Sequence, residues 1–408
     1  MTGTARTRGQ PAALAAATAA VREGGSHALL LVGPGGTGKT TLALDVAAML
    51  LCTASPPDAR PCRSCRACRM VESGNHPDVH RLTPEGPGGQ VRIGERSSPE
   101  PNTIRGLVSA LALLPVEGGA RVAIVEQAHR MNEDAQSAFL KTLEEPGPGV
   151  TIVLCADEEE RLLPTIRSRC ARIRLGPVPV RDIEAILEER GAADAPTAAR
   201  LGRIAGGRPG VALAYAAAPE AVAARAEIAR LLLDLLEAPR SRRLGAVAGL
   251  LGAAADAARS LAAAGVPAAA RSAGPASRRK GATVVTPEPG PPPEDADSTV
   301  AGAEPASKRA PVAERRRAAV LLVELWRDVA RDLAVVQLGD LQRVRDPGLL
   351  DDLSAASANL EPGAAATFLD RLTRAGELLE ANVSPELVVD GLVLAWPRKR
   401  TLTRAGVA

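Results

Sequence analysis

Apolar positions along this chain follow two periods. Short aliphatic runs at Ala28–Val32 (ALLLV), Arg121–Val125 (RVAIV) and Val150–Ala156 (VTIVLCA) are bounded by polar residues, Gly or Pro, and each predicts a buried strand. Residues 171–177 (ARIRLGP) predict a fourth, shorter one. Between the runs the spacing changes to three and four, which predicts helices over TTLALDVAAMLL, over residues 104–114 and over residues 132–146, where Pro146 ends the pattern. Strands alternating with helices predict an α/β core, a parallel sheet with helices on both faces. From residue 180 to about 252 the pattern is helical throughout. Residues 314–337 predict a long amphipathic helix with Leu322, Trp326, Val329, Leu333 and Val336 on one stripe. Most of that stripe is expected to pack internally, with an assembly contact as the rival use. Further helices follow to about residue 396.

The stretch from 265 to 309 lacks Leu, Ile, Phe and Met and is rich in Pro, Gly and charge, so it cannot bury enough apolar surface to fold alone. The expected division is a core at 1–178, a small helical lid at 179–252, a flexible linker or insertion at 253–312 and a helical collar at 313–408. A chain of 408 residues with 46% hydrophobic content supports several buried cores, although aromatic residues are only 1%. A net charge of +3 is too balanced to argue for autonomous DNA binding. The first residues carry no apolar signal core, and no run approaches the ~18 consecutive apolar residues of a membrane span, so a cytoplasmic location without membrane contact is expected.

The sequence Gly33-x4-Gly38-Lys39-Thr40, between a strand and a helix, is a phosphate-binding loop. Glycines let the backbone N–H groups turn inward around a phosphate, and the following helix adds its dipole. Lys39 is expected to reach the β- and γ-phosphates and Thr40 to ligate magnesium. The rival reading is a glycine-rich turn with no ligand. Six cysteines include Cys52, Cys62, Cys65 and Cys68, and four thiolates close a tetrahedral zinc site with no open position, which makes the zinc structural. His76 and His80 are nearby rival ligands, less favoured than the cysteines, whose own alternative is a set of free thiols. Cys155 and Cys170 are expected to be packing residues.

Taken together, GPGGTGKTTLA, the cysteine cluster followed by GNHPDVHRL, AFLKTLEEP and LLPTIRSRC resemble the bacterial clamp-loader AAA+ subunits, which place the sliding clamp on DNA for the replicative polymerase. The similarity spans residues 10–209, and ELLEANVSPELVVDGLVL resembles the end of the collar. The resemblance implies an AAA+ core, ATP with magnesium held by Gly33, Pro34, Gly35, Gly36, Thr37, Gly38, Lys39, Thr40, Thr41 and Glu126, and Arg169 of Ser168-Arg169-Cys170 as an arginine finger serving a neighbouring subunit. It also implies a ring with gamma/tau motor subunits and a delta subunit, acting on the clamp and primer–template DNA.

Three departures set the chain apart from the motor type and match the delta-prime type of this family. There is no ARKYRP-like segment near the start, the second predicted strand ends Glu126-Gln127 in place of Asp-Glu, and Pro209 stands where motor subunits carry a nucleotide-touching Arg, with Arg208 adjacent as a partial substitute. Gln127 cannot accept a proton from water as a carboxylate can, and Glu126 is one methylene longer than Asp. Asp157 replaces the Thr or Asn that senses the γ-phosphate in active members. A hydrolysis-deficient subunit with weak or structural nucleotide binding is therefore expected. The alternatives are an active gamma/tau-type ATPase, an unrelated P-loop kinase or regulator, and a scaffold that binds no nucleotide.

Overall fold

The computed structural model describes residues 4–22, 26–84, 89–95, 100–117, 119–264, 311–358 and 360–398. Strands β1 (Ala28–Val32), β2 (Val79–Leu82), β3 (Arg121–Val125), β4 (Val150–Ala156) and β5 (Ala171–Arg174) form one parallel sheet in the order β2-β3-β4-β1-β5. Its register sets Leu30 beside Leu154, Ala123 beside Ile152 and Leu31 beside Ile173. Side chains alternate across the sheet, so one core takes Leu29, Leu31, Ile124, Val153 and Ile173 with the helices Pro11–Arg22 and Lys39–Leu51. The opposite core takes Leu30, Val125, Ile152 and Leu154 with the helices Ile104–Leu111 and Glu133–Glu144. Burial on both faces is why the central strands read as continuous aliphatic runs. Asn132 caps the second of those helices by accepting the Ala135 N–H at 3.0 Å.

Two local expectations need correction. Strand β2 was not anticipated, because at the sheet edge only Leu82 is buried and the four residues carry no aliphatic run. The helix expected over 104–114 ends at Leu111. Pro115 disfavours helical backbone at Leu114, and Leu113 and Leu114 stand 67% and 80% exposed.

A third core joins the helices Val180–Glu189, Ala195–Ile204 and Pro209–Ala217 through Ile183, Leu187, Leu201 and Tyr215. A fourth and larger one unites Pro219–Asp234 and Val247–Ala264 with Val312–Gln337, Ala364–Glu380 and Pro385–Ala395. The expected boundary at residue 252 falls inside a helix that gives Leu250 and Ala254 to the fourth core and Ala257 to the third, and Pro219–Asp234 likewise gives Ala221 to the third and Ile228 and Leu232 to the fourth. The expected linker start at 253 falls inside Val247–Ala264, an Ala-rich helix held by buried Leu250, Ala254 and Ala257. The remainder of that linker lies largely outside the described residues. Residues 240–264 reach the length and hydropathy of a membrane span, yet Val247, Leu250 and Ala254 pack into the fourth core. On the long helix, Leu322, Trp326, Val329 and Leu333 are buried in that same core and Val336 packs partly against it, so the stripe serves internal packing.

Candidate functional site

The loop after β1 is shaped by contacts that leave no room for side chains. A Cβ at Gly33 would lie 2.2 Å from the Leu175 carbonyl oxygen, and Gly36 and Gly38 hold φ values of +83° and +102°. The Gly36 carbonyl accepts the Gly210 N–H at 2.9 Å, which ties the loop to the start of Pro209–Ala217. Between the sheet and the lid helices opens a cavity of about 750 Å³ lined by Gly35–Thr41 of the loop, with Glu126, Gln127, Asp157 and Pro209. Gly33 and Pro34 lie behind it and turn their carbonyls to Lys39, whose Nζ donates to them at 2.6 and 2.8 Å. Lys39 Nζ also pairs with Asp157 Oδ1 at 2.7 Å.

Thr40 and Glu126, the two expected magnesium neighbours, are adjacent: Thr40 Oγ1 donates to Glu126 Oε2 at 3.3 Å. The other Glu126 oxygen accepts Arg81 Nε at 3.0 Å. Arg81 escaped the sequence reading because its strand did, VHRL having neither an aliphatic run nor a two-residue alternation. Gln127 is exposed in left-handed backbone, φ +51°. Arg208 does not face the cavity. It turns toward Glu324 on the long helix, 3.7 Å away, while Pro209 beside it lines the cavity. Arg6, Thr7, Arg8 and Arg190 line the cavity instead and were not anticipated.

The strap at residues 4–8 is fixed by Asp45 on the loop's helix, which is 1% exposed. Its carboxylate accepts the backbone N–H of Arg6 at 3.1 Å, and from Thr7 the N–H at 2.8 Å and the hydroxyl at 2.7 Å. Arg63, from within the cysteine module, ion-pairs with the same carboxylate.

The Sγ atoms of Cys52, Cys62, Cys65 and Cys68 all lie within 4.8 Å of one another, a group that can hold a metal ion. Cys52 ends the phosphate-loop helix and folds back to 3.9 Å from the Cys65 sulfur. Backbone N–H groups point at the sulfurs, those of Ala54 and Cys62 at Cys52 and that of Cys65 at Cys62, 3.3–3.4 Å away. Such donors stabilise thiolate, the form that ligates metal. Hydrogen bonds from Ser64 and the Cys65 backbone bring the Cys62 thiol down to about 6. His76 and His80 stand outside the group; His76 Nδ1 accepts the Asp78 N–H at 3.1 Å. Cys155 and Cys170 are buried, and burial raises both thiols to about 12, as suits packing residues.

Arg169 follows the short helix Pro164–Arg167. Its guanidinium reaches Glu144 Oε1 at 2.6 Å and the Thr165 carbonyl at 2.9 Å, its side chain is 36% exposed, and it is not part of the wall of the chain's own cavity.

A phosphate loop after an interior β1, with sheet order 5-1-4-3-2 and a helical unit closing over the loop, defines an AAA+ P-loop core followed by a helical C-terminal region. Residues 10–179 match the family described as DNA polymerase III, delta subunit. The chain is 37% identical over 147 residues to the DNA polymerase III subunit delta' of Pseudomonas aeruginosa, covering 36% of this chain and 42% of that protein. It is 34% identical over 190 residues to the subunit delta' of Escherichia coli, covering 47% and 54%. The DNA polymerase III subunit gamma of Buchnera aphidicola is 31% identical over 163 residues, covering 40% of each chain. The chain thus spans about half the length of the curated relatives it matches. These matches bear out the resemblance to the delta-prime and gamma/tau subunits.

Proposed function

We propose that this chain is the delta-prime-type subunit of a bacterial DNA polymerase III clamp loader, working in the cytoplasm beside gamma/tau motor subunits and a delta subunit. In this reading it helps the ring place the sliding clamp on primer–template DNA. The observation that carries it, beside the family match over residues 10–179, is the position of Arg169: partly exposed, held by Glu144, and outside the wall of the chain's own cavity. An arginine so placed is available to a γ-phosphate bound by an adjacent subunit, where charge on the transferring group needs neutralising. Glu144 releases it or shares it on assembly. The chain's own loop fits a nucleotide held weakly or structurally, since Gln127 supplies no carboxylate to work on water. Zinc suits the cysteine group as a structural ion, four sulfurs leaving no open position. The AAA+ core, the helical lid and the C-terminal collar would divide the work between nucleotide, neighbour and ring contacts.

The test reconstitutes the loader with its motor and delta subunits, clamp and primed DNA. Arg169→Ala is expected to lower DNA- and clamp-stimulated ATPase at least tenfold while the complex assembles normally. Wild-type ATPase in that complex would remove the trans role. ATP turnover by the purified chain at the rate of a motor subunit would favour the gamma/tau reading.

A further inference from the structure

Lys39 has three ammonium donors, and three acceptors already surround it: the Gly33 carbonyl at 2.6 Å, the Pro34 carbonyl at 2.8 Å and Asp157 Oδ1 at 2.7 Å. Asp157 is the one charged partner of the three. It follows directly after β4, and its backbone N–H donates to Nδ1 of the buried His129 at 3.2 Å, which fixes the turn. The other Asp157 oxygen is held against the loop, where a Cβ on Gly35 would come within 3.1 Å of it. The cavity wall also carries Arg6, Arg8 and Arg190, but Arg6 is paired with Glu72 and Arg8 with Glu189, while Glu126 is paired with Arg81 and Arg63 with Asp45. Lys39 is the cation of the phosphate loop itself, and a carboxylate is already bound to it.

We infer that Asp157 is a built-in competitor for the terminal phosphate, a resident carboxylate on Lys39 that makes this loop discriminate against nucleoside triphosphate and in favour of nucleoside diphosphate. This deepens the reading of a loop that holds nucleotide without turning it over, and rests on it. A γ-phosphate must displace the carboxylate from Lys39 and then remain beside it, so two like charges share one cation and one small space. A β-phosphate lies deeper in the loop's ring of N–H groups and gives up less by leaving Asp157 where it is. The residue therefore sets which phosphate chain the cavity accepts, and the bias comes from electrostatic position rather than from any change in the loop's shape.

The test is equilibrium calorimetry of the full chain with magnesium-ATP and magnesium-ADP. The wild type is expected to bind ADP at least as tightly as ATP. Asp157→Asn keeps the shape and removes the charge; it is expected to tighten ATP about tenfold and ADP about threefold or less. Adding Lys39→Ala to that variant should erase the gain, since the effect acts through the ammonium. Asp157→Ser provides the same comparison should the amide disturb folding, as judged by circular dichroism. An ATP-to-ADP affinity ratio unchanged by either substitution overturns the inference. So does an Asp157→Asn protein that binds no ATP at millimolar concentration, and so does a gain that survives Lys39→Ala. None of these results bears on Arg169 in the reconstituted loader, so the subunit assignment and the role of Asp157 fail separately.

Discussion

Lys39 is 7% exposed, and the charged group paired with it is Asp157, itself about one-third exposed. Removing that charge leaves Lys39 Nζ with neutral acceptors alone, the Gly33 and Pro34 carbonyls among them. Asp157→Asn should accordingly destabilise the nucleotide-free protein by about 1–2 kcal/mol, below the cost of breaking a fully buried pair because water reaches one side. Urea unfolding without nucleotide checks this, and an unchanged midpoint would mean the pair contributes nothing. Asp78 gives a second case, with pH as the variable. Burial works to raise its pKa, but the N–H groups of Glu117 and Val116 and the Arg121 guanidinium outweigh burial and hold it below the ordinary carboxylate value. The folded form then binds its proton less readily than the unfolded one. The resulting stability is complete above the unfolded pKa of about 3.9 and is lost as pH falls through the lower folded value. Asp78→Asn should flatten that acid limb, read as urea midpoints below about pH 4.

At the scale of elements, the cysteine module and the strap at residues 4–8 act as one piece. Arg63 lies between Cys62 and Cys65, its φ of +61° directs the chain back toward the core, and its guanidinium shares Asp45 with the strap's backbone. Loss of the metal should loosen that arrangement. In Cys65→Ser, bound zinc is expected to fall from one equivalent to none, and the Arg6 and Thr7 amides to exchange about tenfold faster. Elemental analysis and hydrogen exchange measure the two halves; zinc lost with no change in exchange would uncouple module from strap. A similar device closes the C-terminal bundle. Arg243, fully buried, donates to the carbonyls of Ala238, Val393 and Pro397, tying the turn after Pro219–Asp234 to the end of Pro385–Ala395.

Across the whole molecule, the lid and the C-terminal bundle are joined by charge as well as by chain. Arg225 is 3% exposed and lies between Asp328 at 3.2 Å and Asp346 at 3.5 Å. Arg200 of the lid reaches the same Asp346 at 3.3 Å, and Arg345 pairs with Asp328 beside it. Burial of this network means each charge depends on the others. Asp346→Ala should lower unfolding free energy by about 3–5 kcal/mol, because it leaves Arg225 with one carboxylate and Arg200 without its lid-to-bundle partner. Denaturant unfolding reads the size, and a cost under 1 kcal/mol would show that the network relaxes or hydrates. The rare aromatic residues are concentrated in the same bundle: Trp326, Phe368 and Trp396 meet at centroid distances of 4.7–5.6 Å, and the Trp396 ring N–H donates to the Leu232 carbonyl at 2.8 Å.

The sequence alone determined what depends on local spacing. Four of the five strands, the phosphate loop and the cysteine group were legible because each is a contiguous or near-contiguous pattern whose chemistry constrains the residues beside it. Arg169 was singled out by its place after the third predicted strand, whereas its pairing with Glu144 belongs to the fold. Strand β2 was not legible, since an edge strand of four residues with only Leu82 buried has no apolar signature. Arg81 on Glu126, Arg63 on Asp45 and Arg208 turned toward Glu324 join residues 45, 18 and, by the sequence numbers, more than a hundred positions apart. That the helices Pro219–Asp234 and Val247–Ala264 each contribute to both the third and the fourth core was likewise invisible in the spacing. Most decisive is Asp157: the sequence set it where active members sense the γ-phosphate, and the fold adds its ion pair with Lys39, because the ends of β1 and β4 lie side by side in the sheet.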